Sequence, residues 1–321
     1  MGPGLVYLNE PKKAKETFSN ECKYLSFAST EMQGWRKSME DAHVHEIEFD
    51  DDPNAALFAV FDGHGGKEVA EFASRHFAEE LKKDENYKAK KYEEALKNTF
   101  LKIDALLMTE KGKEEIKKIT GSIKSKGEGE FSGYEASEEE GADMKGCTAN
   151  VAFIKDGKIY IANAGDSRAI AIMSDGTVEE LSIDHKPENK IEADRIRKAG
   201  GTIFNGRVEG NLNLSRGLGD LHYKANKNLK PEEQMICAYP DVRIKEVNTN
   251  IQYILMGCDG IYETWSSQQI GTFVLSESKA PDAKLTTIVE KLLDSVISPD
   301  YLKTAGAGCD NMTCILIKFN H

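Results

Sequence analysis

The apolar run Ala55 to Phe61, Ala-Ala-Leu-Phe-Ala-Val-Phe, stops abruptly at Asp62-Gly63-His64-Gly65-Gly66, the pattern of a buried strand entering a glycine-rich turn. Beyond the turn, Val69, Ala70, Phe72, Ala73, Phe77 and Leu81 recur at helical spacing and predict a helix over 67–81. A second helix is expected over 92–109, where Leu96, Phe100, Ile103 and Leu107 form one stripe, and the two should pack as an antiparallel pair. Residues 149–154 and 158–164 read as strands joined at Asp156-Gly157, a pair that tolerates the positive φ of a tight hairpin. Residues 169–173 and 177–182 read as two more, joined across Ser174-Asp175-Gly176. Four short strands with tight turns predict an antiparallel meander. Parallel neighbours would need a crossover of about a dozen residues at each step, which disfavours a Rossmann-type fold. Further strands are expected at 252–256 and 313–319, and further helices at 188–199, stopped by Gly200-Gly201, and at 285–296.

One stretch breaks the pattern. From Glu128 to Asp143 there are seven acids and no Lys or Arg, among several Gly and Ser, so 112–145 reads as an acidic, flexible surface insertion. Residues 1–22 read as an N-terminal extension and 23–321 as one domain. The formal charge is −12, with 42 basic and 54 acidic residues among 321. No basic stripe is present, which argues against nucleic acid and anionic membrane as partners. No apolar run reaches the roughly 18 to 20 residues of a transmembrane helix, and the start lacks a signal sequence. The expected location is intracellular, cytoplasmic or nuclear. Pro3 and Val6 argue against N-myristoylation at Gly2. The six cysteines, at 22, 147, 237, 258, 309 and 314, include no Cys-x-x-Cys pair and are expected to be reduced thiols.

The candidate chemistry lies in acids beside glycines or tight turns: Asp62-Gly63, Gly165-Asp166, Asp259-Gly260 and Asp310-Asn311, with Glu40-Asp41. An aspartate ending an apolar strand sets a hard oxygen donor at a sheet rim, where several can converge on Mg²⁺ or Mn²⁺. Seven blocks follow in order, five of them carrying these acids: Gly34-Trp35-Arg36-Lys37-Ser38-Met39-Glu40-Asp41-Ala42-His43; Phe58 to Gly66; Gly146-Cys147-Thr148-Ala149 with Ala164-Gly165-Asp166-Ser167-Arg168; Asp184-His185-Lys186-Pro187; Leu214 to Asp220; Cys258-Asp259-Gly260-Ile261-Tyr262-Glu263; and Asp310-Asn311-Met312-Thr313. Together they resemble the metal-dependent protein serine/threonine phosphatases of type 2C, over about Tyr24 to Phe319.

The resemblance implies an α+β fold, a central sandwich of two antiparallel β-sheets flanked by antiparallel α-helices. It makes 23–321 a phosphatase catalytic domain acting on phosphoserine and phosphothreonine in proteins, expected as a monomer. It also implies two Mn²⁺ or Mg²⁺ ions per chain. Asp62 would bridge them, Asp259 and Asp310 would complete one site, and the Gly63 carbonyl would serve the other. Glu40 and Asp41 would act through metal-bound waters, and Asp166 with Asp259 would hold a weaker third ion. A water between the ions would attack phosphorus without a phosphoenzyme intermediate, Arg36 would hold the phosphate, and His64 would protonate the leaving oxygen.

Ser167-Arg168, the block ending at Asp220, and the flap at 184–201 are left without catalytic roles. So is Glu263, which stands where many relatives carry Asp. Cys258 and Cys309 each precede a proposed ligand, and alternation along a strand turns such thiols toward the core. Two rivals stand beside this reading. One is a phosphoprotein-binding pseudophosphatase that docks through the acidic insertion. The other, a metal-dependent nuclease or phosphodiesterase, is disfavoured by the missing basic groove.

Overall fold

The computed structural model describes residues 7–125 and 143–320. The chain opens with β1 (Lys12–Glu21), β2 (Leu25–Gly34), β3 (Ala42–Ile47), β4 (Ala55–Phe61) and the short β5 (Gly63–His64). Three long helices follow, α1 (Glu68–Lys83), α2 (Tyr92–Leu107) and α3 (Glu110–Ser125), with a single turn at Glu85–Lys88 between the first two. Next come β6 (Gly146–Cys147), β7 (Ala149–Lys155), β8 (Lys158–Ala164), β9 (Arg168–Met173) and β10 (Val178–Glu180). The flap holds α4 (Lys190–Lys198), and β11 (Ile203–Phe204), β12 (Arg207–Val208) and β13 (Leu218–Gly219) follow it. The chain finishes through β14 (Asp241–Glu246), β15 (Ile251–Gly257), α5 (Ser267–Glu277), α6 (Leu285–Val296) and β16 (Met312–Phe319).

Two antiparallel sheets form the centre, one of six strands in the order β1-β2-β16-β15-β9-β10 and one of five in the order β14-β8-β7-β4-β3. β4 shows why its sequence lacks polar alternation. Ala56, Phe58 and Val60 belong to the core shared with the six-stranded sheet, while Leu57, Ala59 and Phe61 belong to the core under α1 and α2. Successive side chains point to opposite faces, and here both faces are buried. Full burial of each large side chain contributes about 1.5–3 kcal/mol. Phe27 and Phe58 meet between the sheets at 5.1 Å. On the outer layer the helical stripes pair as their spacing predicts, Phe77 of α1 against Phe100 of α2 at 5.4 Å. α5 and α6 cover the other sheet, with Ile270, Val274, Ile288 and Leu292 in its core.

Three expectations change. The four strands of 149–182 are two hairpins in different sheets: β7 and β8 pair in the five-stranded sheet, whereas β9 pairs with β10 and β15 in the six-stranded one. The chain changes layer at Gly165-Asp166-Ser167. Gly165 has φ +122° and packs so closely on Thr148 that a Cβ would lie 2.6 Å from its side chain, so only glycine suits the crossing. Turn residues signal a hairpin but not the sheet in which it pairs. Secondly, residues 12–21 of the expected extension form β1, paired with β2 through Thr17↔Thr30 and its neighbours. This edge strand is mostly polar and exposed, so its backbone holds it without an apolar pattern that could reveal it. Thirdly, the expected insertion begins as helix α3, anchored by buried Ile119 in the core and by Thr120 Oγ1 donating to Glu68 Oε1 at 2.9 Å. The acidic residues 128–142 lie outside the described residues.

Candidate active site

The proposed acids come together because their strands end at one rim of the sandwich. Asp62 follows β4, Asp166 sits in the crossing after β8, Asp259 follows β15 and opens the single helical turn Asp259–Tyr262, Asp310 precedes β16, and Arg36 to Asp41 link β2 to β3. Burial pushes the Asp62 carboxyl well above the usual carboxylate range, and repulsion from Asp41, Asp259, Asp310 and Asp166 pushes it further. Asp259 is raised by burial and then by Asp166, Asp310 and Glu263. Asp41 is pushed up to about 7, first by burial and then by Asp310 and Glu31, against hydrogen bonds from Thr313 and Cys258. Carboxylates driven together in a poorly solvated pocket are each short of positive charge. One ligand oxygen each from Asp259, Glu263 and Asp310 lies within 4.8 Å of the others. An all-oxygen donor set of this kind fits Mg²⁺ or Mn²⁺.

The surrounding side chains are held by specific bonds. Glu40 accepts from Ser38 Oγ at 2.7 Å and from the Gly66 N–H at 2.9 Å, and its own N–H donates to Asn311 Oδ1 at 2.9 Å. Asn311 also donates to the carbonyls of Gln33 and Ser38, tying the 34–41 loop to the Asp310 loop. Gly63 lies under that loop, where a Cβ would be 2.3 Å from the Glu40 carbonyl. Arg36 Nη2 donates to Asp310 Oδ2 at 2.5 Å, and its buried Nε has no hydrogen-bond partner. Asp166 is almost fully buried and pairs with Lys186 Nζ.

His64 Nε2 lies 2.9 and 3.0 Å from the two carboxylate oxygens of Asp220, itself fully buried. A three-stranded ribbon, β13-β6-β5, makes this contact: Gly146 of β6 is opposite His64 on one side and Gly219 on the other. Burial disfavours the imidazolium, but the Asp220 charge and hydrogen bond outweigh it, and the His64 pKa is raised above 6.5. The sequence alone assigns Asp220 no role. The block ending at Asp220 marked the region, yet 156 positions separate it from His64, and no periodicity reports such a contact. Glu263 and Lys186 are likewise functional-site neighbours that sequence reasoning passed over. Cys258 is buried in the core, as expected, and its sulfur also lies within 4.8 Å of one ligand atom each of Asp41 and Asp62.

Among the described residues, no helix is long and apolar enough to cross a membrane. Residues 25–301 match the family model described as Protein phosphatase 2C. "Probable protein phosphatase 2C 6" of Paramecium tetraurelia is 48% identical over 319 residues, covering 99% of this chain and 100% of the relative. "Protein phosphatase 2C 1" of the same organism is 45% identical over 320 residues, covering 99% of each. Among solved structures, a phosphatase from a pathogenic strain of Toxoplasma gondii superposes with a TM-score of 0.72 at 25% identity, over 96% of both chains.

Proposed function

The chain belongs to the protein phosphatase 2C family, metal-dependent serine/threonine phosphatases that act on phosphoproteins, and from that premise we propose that Asp62, Asp259, Asp310 and the Gly63 carbonyl hold two Mn²⁺ or Mg²⁺ ions at the catalytic rim. The observation that carries this reading is the convergence of half-buried, mutually repelling carboxylates beside Arg36 and His64. When bound, the ions supply positive charge for the phosphoester and a water acidic enough to attack at neutral pH.

The chain's own residues supply the rest. The Arg36 guanidinium, pinned at one nitrogen by Asp310, keeps its remaining donors for phosphate oxygens in a fork that lysine cannot reproduce. His64 gives its proton to the departing serine or threonine oxygen. Asp220 is a positioning residue: it orients the imidazole and favours the protonated form needed at neutral pH. Glu40, clamped by Ser38 and Gly66, and Asp41, held by Thr313, would act on bound ions through water. Asp166 completes a third and weaker site, weak because a cation there must displace Lys186. No cysteine takes part in phosphoryl transfer.

The test is phosphate release from a phosphothreonine peptide with Mn²⁺, with EDTA, and after Asp259→Ala. Turnover should require the metal and fall steeply in the variant. A purified, folded parent without metal-dependent turnover would favour the phosphoprotein-binding reading instead.

A further inference from the structure

At the end of the six-stranded sheet far from the catalytic rim is a cavity of about 640 Å³ that the phosphatase reading does not use. Two strands fix its place. Asp259 follows β15 and Asp310 precedes β16 at the rim, whereas Tyr253 and Lys318 sit opposite each other toward the other ends of the same strands. About 13 Å of strand separates Tyr253 from Gly257, where β15 ends. Tyr253, Phe319 and Leu275 supply apolar wall. Tyr253 is only 5% exposed, and its hydroxyl has no hydrogen-bond partner among the described residues. A buried tyrosine hydroxyl ordinarily finds one, and the cavity is where a partner can reach it. Lys279 and Lys318 line the same cavity, and neither makes an ion pair among the described residues. Lys279 follows the C-terminus of α5, where a cation also offsets the helix dipole. Lys318 lies in a strand and has no such role. Asp175, the carboxylate in the lining, accepts from the Thr177 N–H at 2.9 Å and from the Thr177 hydroxyl at 2.7 Å, and pairs with neither lysine.

We propose that this cavity binds a small aromatic anion, a ring system bearing one acidic group, with the ring against Tyr253 and Phe319 and the charge at Lys318 and Lys279. The volume falls within the roughly 300–1,000 Å³ of small-molecule sites, which pair apolar walls with a few convergent polar groups. Charge chooses the sign of the ligand: two lysines against one engaged carboxylate favour an anion. The apolar walls choose its body, since an inorganic anion has no apolar surface to bury there. Because Tyr253 and Lys318 are cross-strand partners, hydroxyl and ammonium lie on one face of the sheet and hold the same acidic group. Binding here is non-covalent and independent of the phosphatase reading.

The experiment titrates the full chain with anilinonaphthalene sulfonate, whose fluorescence rises in an apolar site, and in parallel with N-phenylnaphthylamine, the same ring system without the sulfonate. The sulfonate should bind saturably, and the neutral amine about tenfold more weakly or worse. Lys318→Glu should weaken sulfonate binding by about tenfold or more. Tyr253→Phe, which removes the hydroxyl alone, should weaken it by about two- to tenfold. A folded parent without saturable binding, or a neutral amine that binds as tightly as the sulfonate, overturns the proposal. So does unchanged affinity in Lys318→Glu, because the probe would then sit elsewhere, the catalytic cleft included. If circular dichroism shows Lys318→Glu unfolded, Lys279→Glu, at an exposed position beyond α5, decides by the same criterion.

Discussion

Replacing Gly146 with alanine adds one methyl group where the ribbon brings His64 and Asp220 together. The new Cβ would stand 2.3 Å from Asp220 Oδ2 and 2.6 Å from His64 Nε2, about 1 Å inside ordinary contact distance. The backbone at Gly146 has no positive φ, so the strain is steric and falls on the pair. Overpacking of this kind costs about 1–3 kcal/mol of stability. Moving either partner by that much breaks the 2.9 Å contact. Loss of a positioned general acid lowers turnover by about 10²- to 10⁴-fold. The assay compares kcat on a phosphothreonine peptide with kcat on p-nitrophenyl phosphate, whose leaving group departs without protonation. The variant should lose most of its activity on the peptide and much less on the activated ester, and His64→Ala should show the same split. Gly121→Ala, with nothing within 4 Å of the added carbon, is the control. An unchanged peptide kcat, or equal losses on both substrates, would refute the reasoning, the second because it would place the damage in the metal site.

Other outcomes follow from the same geometry. Glu192, hydrogen-bonded to Arg216 and Ser215, has its pKa lowered to about 2: burial raises it, but Arg216 and Arg195 outweigh burial. Its charged form therefore stabilises the fold above the unfolded pKa, and up to about 3 kcal/mol, reduced by solvent screening, is lost as pH falls from about 5 through 2; chemical denaturation of Glu192→Gln should show a flatter acid limb than the parent. Arg36→Lys loses the fork, so kcat/KM should drop by about tenfold or more, and an unchanged value would remove Arg36 from phosphate binding. Mn²⁺ at 100 times its Kd should stabilise the EDTA-stripped protein by about 2.7 kcal/mol in thermal or chemical denaturation; no shift would mean that the carboxylate rim does not hold the ion.

How much was legible in the sequence depended on the range of the interaction. The double-faced burial of β4 was written in its unbroken apolar run, and the α1 and α2 stripes in their spacing, because each reports a face along one element. Asp62, Asp166, Asp259 and Asp310 could be picked out because a strand-end acid beside a turn is a local feature. β1 could not, since a polar edge strand is held by backbone bonds that any sequence can make. Likewise the helix over 110–125 was obscured by the acidic run that follows it.

The sequence by itself determined the strands and helices that carry an apolar pattern, the acids at the strand ends, and the resemblance that named their chemistry. Only the tertiary structure decided that β8 and β9 part into different sheets, that Asp220 meets His64 across Gly146, that Lys186 sits on Asp166, and that the Cys258 sulfur lies near Asp41. The physical reason is that periodicity records which way a side chain faces along its own element. Which groups meet is set by how the sheets stack and how the ribbon registers, and those contacts join residues as far apart as Arg36 and Asp310, 274 positions.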